Sequence, residues 1–372
     1  MTTDADLRLA TRGSDLALRQ ATAVQSQLAS RRREVTLTEV DTTGDQLQEE
    51  LIHRLGKTGA FVRSLDEKVL SGDLDAAVHS MKDMPTEMPA DLVVAGVPER
   101  APSGDVLVTP DGSELDDLPP EAVVGTSSLR RTAQLLAARP DLEIVPLRGN
   151  VDTRLEKLLA PHLQDEHDRL LTSEENDEDA QDPDEWFDSL SELEREAMER
   201  RVDQAMDAIV LAEAGLRRSD LYTEVETARL PKASFVPSPG QGAIAVTASD
   251  PQTVGAIQEA VDHPRTRVET TVERTVLAEV GGGCIAPIGV SATLQGEYVH
   301  TRAQILSHDG TEVIESTRDL PAVDHATAAA EFAADLRDRG AAELIDEARA
   351  AFEEDAATAD GGAETVMGDD DE

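Results

Sequence analysis

One cysteine, one tryptophan, two tyrosines and five phenylalanines are all that 372 residues contain of those types, and five of the 34 basic residues are lysine. Each shortage excludes something. A single thiol allows no intramolecular disulfide and no cysteine-cluster metal site, and no metal is expected. With aromatics at 2%, the cores must be built from Val, Leu, Ile and Ala. No apolar run approaches the roughly 18 residues of a membrane span. The opening MTTDADLRLA lacks the basic and apolar regions of a signal peptide. Positive charge is also short: 34 Lys+Arg against 76 Asp+Glu leave a net charge of -42. Such a surface repels polyanions and argues against nucleic-acid binding. It suits a salt-rich cytoplasm, because at ~1 M ionic strength the Debye length is about 3 Å and self-repulsion fades. A soluble, cytoplasmic, halophile-like protein is expected, of two or three domains at roughly 100–200 residues each.

Strand and helix patterns alternate along the first hundred residues. LRLAT (7–11), EVTLTEV (34–40), DAAVHSM (75–81) and DLVVAGV (91–97) read as strands. SDLALRQATAVQSQLAS (14–30), with Ser14 as N-cap, and AFVRSLDEKVL (60–70) read as helices. A second α/β set follows PERAPSG (98–104): DVLVT, AVVGTSS, SLRRTAQLLAAR, LEIVPL, VDTRLEKLLA and DAIVLA (207–212). Residues 161–204 are intensely acidic, long for a connection, and predicted to be an insertion reaching into solvent, partly helical near 190–204. SFVPSPGQGAIAVTA (234–248) has the Pro/Gly density of a crossing between domains. RVETTVERTVLAEV (267–280) places Val268, Val272, Val276 and Val280 on one helical face. Three alternating strands near 288–294, 297–307 and 311–319 and one Ala-rich helix (323–351) make this last part α+β and antiparallel.

In so acidic a chain, arginines gathered at element ends call for a reason. Arg12 and Ser14 sit at one strand-to-helix junction. Thr126, Ser127 and Ser128 precede a helix carrying Arg130 and Arg131. Arg148, Gly149 and Asn150 precede another, with Arg154 one turn in. Arg217 and Arg218 follow a further strand. Helix N-termini offer free N–H groups and the positive end of the dipole, and arginine forks beside them suit carboxylates or phosphates. Solvated arginines and ordinary caps are the plainer alternative for any one junction. No GxxxxGK[ST] occurs, so a P-loop is excluded. AAVHSMKDMPTEMP (76–89) adds Lys82 and Asp83 at the end of a strand, where α/β folds keep their chemistry; His79 reads as structural. Cys284 follows Gly281, Gly282 and Gly283. It is either a buried apolar residue or a functional thiol, which a helix C-terminus just before it does not activate.

Together ATRGSDLAL, AAVHSMKDMPT, VGTSSLRR, LRGNVDTRL, DAIVLAEAGLRR, PGQGAIAV and GGGCIAPIG, in this order, resemble the porphobilinogen deaminase (hydroxymethylbilane synthase) family. The resemblance covers nearly the whole chain except 161–204 and the acidic tail. It implies two α/β domains like type II periplasmic binding proteins around a cleft, and a smaller α+β domain with a three-stranded antiparallel sheet. Domain 1 would span 1–99 and 238–262, domain 2 104–237 and domain 3 264–352, while the acidic composition of 353–372 reads as a disordered tail. It implies a dipyrromethane cofactor bound covalently to Cys284, porphobilinogen as substrate, and a monomer. The reaction would be stepwise condensation of four porphobilinogen molecules into hydroxymethylbilane with loss of ammonia.

Transferred position by position, the resemblance assigns catalysis to Asp83, Lys82 and Arg12. Cofactor contacts fall to Cys284, Ser14, Asp83, Thr126, Ser127, Ser128, Arg130, Arg131, Arg148, Gly149, Asn150 and Gln241. Substrate contacts fall to Arg12, Phe61, Lys57, Arg148, Arg154 and Arg218, with Phe61 and Lys57 on a lid segment. Many relatives place that lysine one position nearer the phenylalanine. The rival from another class is a non-catalytic bilobal binding protein for a polycarboxylate. A thiol hydrolase pairing Cys284 with His53, His79 or His263 lacks any motif linking thiol to base.

Overall fold

Strands whose residues are mostly apolar and buried belong to sheets covered on both faces, and LRLAT (7–11), AAVHS (76–80) and AIVLA (208–212) are of that kind. The structure, a computed structural model, describes residues 5–40, 60–174, 182–283 and 286–361. The first unit contains β1 (Leu7–Thr11), α1 (Asp15–Leu28), β2 (Val35–Glu39), α2 (Ala60–Leu70), β3 (Ala76–Ser80) and β4 (Val93–Gly96). The second contains β5 (Asp105–Val108), β6 (Val123–Gly125), α3 (Leu129–Ala138), β7 (Glu143–Val145) and α4 (Val151–Glu174). It continues through α5 (Pro183–Ser189), α6 (Glu192–Met198), β8 (Ala208–Ala212), α7 (Glu213–Arg218) and β9 (Thr227–Arg229). The chain then returns as β10 (Ile244–Ala248) and α8 (Pro251–Val261).

The two sheets share one plan. In the order β2-β1-β3-β10-β4, β1 is parallel to β2 and β3, while β10 runs antiparallel. In β7-β6-β8-β5-β9, β6 is parallel to β7 and β8, and β5 runs antiparallel. Each reversed strand is the one the chain forms just after crossing between sheets. Ile244 lies opposite Ser80, and Asp105 opposite Ala212. Both crossings therefore leave from the edge where the parallel strands end. They pass in contact: the Ala101 N–H donates to the Gly242 carbonyl at 3.1 Å. Gly242 has φ +82, and a Cβ there would lie 2.6 Å from the Ala101 carbonyl oxygen, so only glycine allows the approach.

A third unit follows: α9 (Pro264–Glu279), the meander β11 (Ile288–Gln295), β12 (Tyr298–Leu306) and β13 (Val313–Pro321), then α10 (His325–Asp338) and α11 (Ala341–Gly361). The valine stripe behaves as its spacing requires: Val272, Val276 and Val280 are buried with Phe332, Leu336 and Ile305, and Val268 packs against them. Buried Glu273 seats this unit on both crossings. Its carboxylate accepts from Arg100 Nη1 and Nη2 at 2.8 and 2.9 Å, from the Gly240 N–H at 2.8 Å and from the Ala292 N–H at 2.9 Å.

Three expectations change. The described parts of the insertion pack onto the second unit and do not extend away from it: α4 runs on through Pro161 to Glu174, and α6 folds back along it. Leu163, Leu190, Leu193 and Ala197 join the core of Leu155, Leu158 and Leu159. These apolar residues at helical spacing were masked by the acidic face opposite. The single Ala-rich helix is two helices, broken at Gly340, whose φ of +92 ends α10 in a left-handed turn. And α11 continues to Gly361, past the start of the expected tail, because AAFEEDAATAD is rich in strong helix formers; residues 362–372 lie outside the described ones.

Candidate active site

Because the parallel strands of both sheets end at the crossing edge, the junctions singled out in the sequence converge there. Arg12 follows β1, Lys82 and Asp83 form a one-turn 3-10 helix after β3, Thr126–Ser128 follow β6, Arg148–Asn150 follow β7, and Arg218 ends α7 after β8. Ser14 is the N-cap of α1 but makes no side-chain capping bond, nor does Ser128 before α3. Ser127 is engaged locally: its Oγ donates to the Leu147 carbonyl at 2.9 Å and accepts from the Leu147 N–H at 3.0 Å, joining the β6 and β7 ends. Thr126 Oγ1 accepts from the Ser128 N–H at 3.2 Å. Lys57, Cys284 and the side chain of Phe61 lie outside what is described.

The arginines divide into two groups. Arg130 and Arg131 are 3% and 6% exposed, and both reach Asp105, itself 1% exposed. Arg130 Nη2 lies 2.8 Å from Asp105 Oδ2, and Arg131 Nη2 lies 2.8 Å from Oδ1. Gln241, assigned to the cofactor by resemblance, donates from Nε2 to Asp105 Oδ1 at 2.9 Å and to the Ser103 carbonyl at 2.7 Å. Arg130 and Gln134 also donate to the Val236 carbonyl, at 3.1 and 2.9 Å. These residues lock the crossings together. Burial raises the Asp105 carboxyl, but the two guanidiniums outweigh it and hold it well below the usual carboxylate range. Two cations face one carboxylate, so a positive charge is left over.

Arg154 and Arg218 are the other group. Arg154 Nε donates to the Gly149 carbonyl at 2.8 Å and Arg218 Nη2 to the Gly242 carbonyl at 2.7 Å. Among the described residues neither has a carboxylate at ion-pair distance. Burial pushes both down to about 10, assisted at Arg154 by the charge of Arg131 and opposed by Asp83. Asp83 raises Lys82, yet burial together with Arg131 and Arg154 prevails and holds the ammonium below its usual value. Lys82 and Asp83 from the first unit and Arg131 and Arg154 from the second thus share one electrostatic field. Asp83 itself is exposed and Lys82 half-buried. Arg218 also lines an open groove of about 460 Å³ with Asp15, Leu18 and Thr22 of α1.

Sequence reasoning missed Asp105, Arg100, Glu273 and Arg274. A short DVLVT strand and a valine stripe carry no mark of the partners their charges meet across the fold.

The molecule is a two-unit α/β protein with a smaller α+β unit, whose two crossings carry a cluster of cations. The profile described as "Porphobilinogen deaminase, dipyromethane cofactor binding domain" matches residues 7–168 and 194–254, and "Porphobilinogen deaminase, C-terminal domain" matches 268–337. The chain is 50% identical to the "Probable porphobilinogen deaminase" of Halobacterium salinarum, over 92% of this chain and 98% of that one. It is 37% identical to the counterpart of Methanococcoides burtonii, over 91% and 96%, and 37% to the "Porphobilinogen deaminase" of Desulforudis audaxviator, over 91% and 97%. A solved structure, the ectoine-binding protein TeaA, is similar at 11% identity and a TM-score of 0.34, over 93% of this chain and 99% of that one. The chain belongs to the porphobilinogen deaminase family, and is a transferase. The break in the profile falls at 169–193, inside the expected insertion. No helix among the described residues is long and apolar enough to cross a membrane.

Proposed function

We propose that this chain condenses four porphobilinogen molecules head to tail on a dipyrromethane linked through a thioether to Cys284, releasing four ammonia molecules and consuming one water to set free hydroxymethylbilane. One observation carries the reading: Arg154 and Arg218 are half-buried cations that donate to backbone carbonyls and have, among the described residues, no carboxylate at ion-pair distance. Burying a charge without a counter-charge is costly, and an acetate and a propionate on every pyrrole would supply that counter-charge. The donor set therefore fits the cofactor. Arg148 would hold its carboxylates, with Ser127 and Ser128 beside it and the surplus positive charge of the Arg130–Arg131–Asp105 cluster behind. When bound, that group supplies the terminal pyrrole carbon from which the product grows.

Asp83 does the rest of the chemistry. Exposed at the mouth of the first sheet, its carboxylate accepts hydrogen bonds from pyrrole N–H groups, steadies the positive charge left when the substrate loses its amine, and takes up the proton released at the new bond. Arg12, Arg154 and Arg218 bind the incoming carboxylates, and by the family match Phe61 and Lys57 contact the same substrate. Lys82, held below its usual value, is suited to exchanging a proton with the departing amine. The enzyme acts as a cytoplasmic monomer on a small molecule, a reading supported by the net charge of -42, which disfavours nucleic acid and anionic membrane surfaces. A binding protein for a polycarboxylate would account for the cations but not for membership of this family. The test is stoichiometry: adding porphobilinogen should release four ammonia per hydroxymethylbilane, and binding without ammonia release would leave the binding protein.

A further inference from the structure

The backbone on both sides of Asp83 is held from the third unit. Arg274 of α9 donates through Nη1 to the Met81 carbonyl at 3.2 Å and the Met84 carbonyl at 3.3 Å, and through Nη2 to the Pro85 carbonyl at 2.5 Å. The Met81 N–H reaches the Ala243 carbonyl of the returning crossing at 3.0 Å, and the Met84 N–H the Met81 carbonyl at 3.2 Å. Met81 and Met84 are buried beneath the segment, while Asp83 points to solvent. A planar guanidinium spread over three carbonyls fixes the course of a loop in a way one flexible donor does not. The residue before it, Glu273, is itself locked onto Arg100, Gly240 and Ala292, so α9 cannot turn without moving both crossings. The same helix ends at Glu279, just before the glycines that lead to Cys284.

We infer that Arg274 is a positioning residue for the reaction: from the third unit it sets the Met81–Pro85 segment so that the Asp83 carboxylate meets the reacting carbon. The inference rests on Asp83 having the role proposed above. A purely structural docking contact would cost stability and leave turnover of the folded enzyme unchanged, and that difference is measurable.

Full-length wild type, Arg274→Met, Arg274→Gln and Asp83→Asn are compared after intact-mass confirmation that each carries its primer. Arg274→Met should keep KM for porphobilinogen within about threefold while kcat falls on the order of 10–100-fold, since an ångström of misplacement costs that much. Arg274→Gln, which retains an amide donor, should lie between it and wild type. Loaded Arg274→Met with wild-type kcat overturns the inference, as does a loss confined to KM. Should Arg274→Met fail to fold, Arg274→Gln decides: lowered kcat at unchanged KM supports positioning, and wild-type kcat overturns it. Asp83→Asn separates the two proposals. If it is inactive while Arg274→Met is unaffected, only the positioning role falls. If Asp83→Asn turns over normally, the Asp83 assignment fails and the role of Arg274 falls with it.

Discussion

Arg130 and Arg131 stand at the start of a helix after a parallel strand, and so does Arg154, yet the fold treats them oppositely. The first pair is closed: Asp105 pairs with both guanidiniums, Gln241 braces Asp105, and the Val236 carbonyl accepts from Arg130. Arg154, and Arg218 beyond the next strand, are open, with carbonyls for partners and burial working against their charge. Identical side chains at equivalent places thus separate into those that hold the crossings and those held ready for a ligand. What decides is the carboxylate opposite, not the arginine. The closed group still contributes to the site, because its surplus positive charge depresses both Lys82 and Arg154.

The comparison can be broken at several points. The largest effect expected is on turnover: Asp83→Asn should lower kcat roughly 10²–10⁴-fold, the range of a lost general acid–base group, with denaturant unfolding changed by less than about 0.5 kcal/mol because the side chain is exposed. Asp105→Asn should do the reverse in kind. It leaves two buried guanidiniums without their carboxylate and should cost about 3–5 kcal/mol in urea unfolding. A loss below about 1 kcal/mol would mean that the crossings are not held by this cluster.

Arg154→Met and Arg218→Met sharpen the other side. Each should raise KM for porphobilinogen about tenfold or more, the worth of a charge-assisted hydrogen bond at about 1.5–3 kcal/mol. The primer-free protein should be as stable as wild type or more so in thermal melts, since removing an uncompensated buried charge relieves a cost. A fall in stability comparable to that of Asp105→Asn would erase the distinction between the groups. The smallest effect belongs to Ser14→Ala. A capping serine is worth about 1 kcal/mol, but this hydroxyl makes no capping bond. Unfolding should therefore change by less than about 0.5 kcal/mol, while KM rises a few-fold.

The strand and helix order was legible because period-2 and period-3.6 patterns are local: β1 and α2 fall where LRLAT and AFVRSLDEKVL place them. The convergence of Arg12, Asp83, Arg148 and Arg218 was legible as a set of similar junctions. What was not legible is pairing over distance. Nothing near Arg130 indicates that Asp105 and Gln241 will claim its neighbourhood, and nothing in a valine stripe indicates that Glu273 and Arg274 face two loops rather than water. The insertion was misread for a related reason. Its composition is set by the solvent face, whereas its packing is set by the few leucines, Leu163, Leu190 and Leu193, that composition averages away.

The central claim is that the open cations belong to a polycarboxylate tethered at Cys284, and the intact mass of the purified enzyme tests it most directly. Wild type should weigh more than its sequence by two linked pyrrole units, Cys284→Ala should weigh its bare sequence, and porphobilinogen should add further pyrrole units to wild type alone. Wild type that stays at its bare sequence mass after porphobilinogen is supplied would contradict the claim.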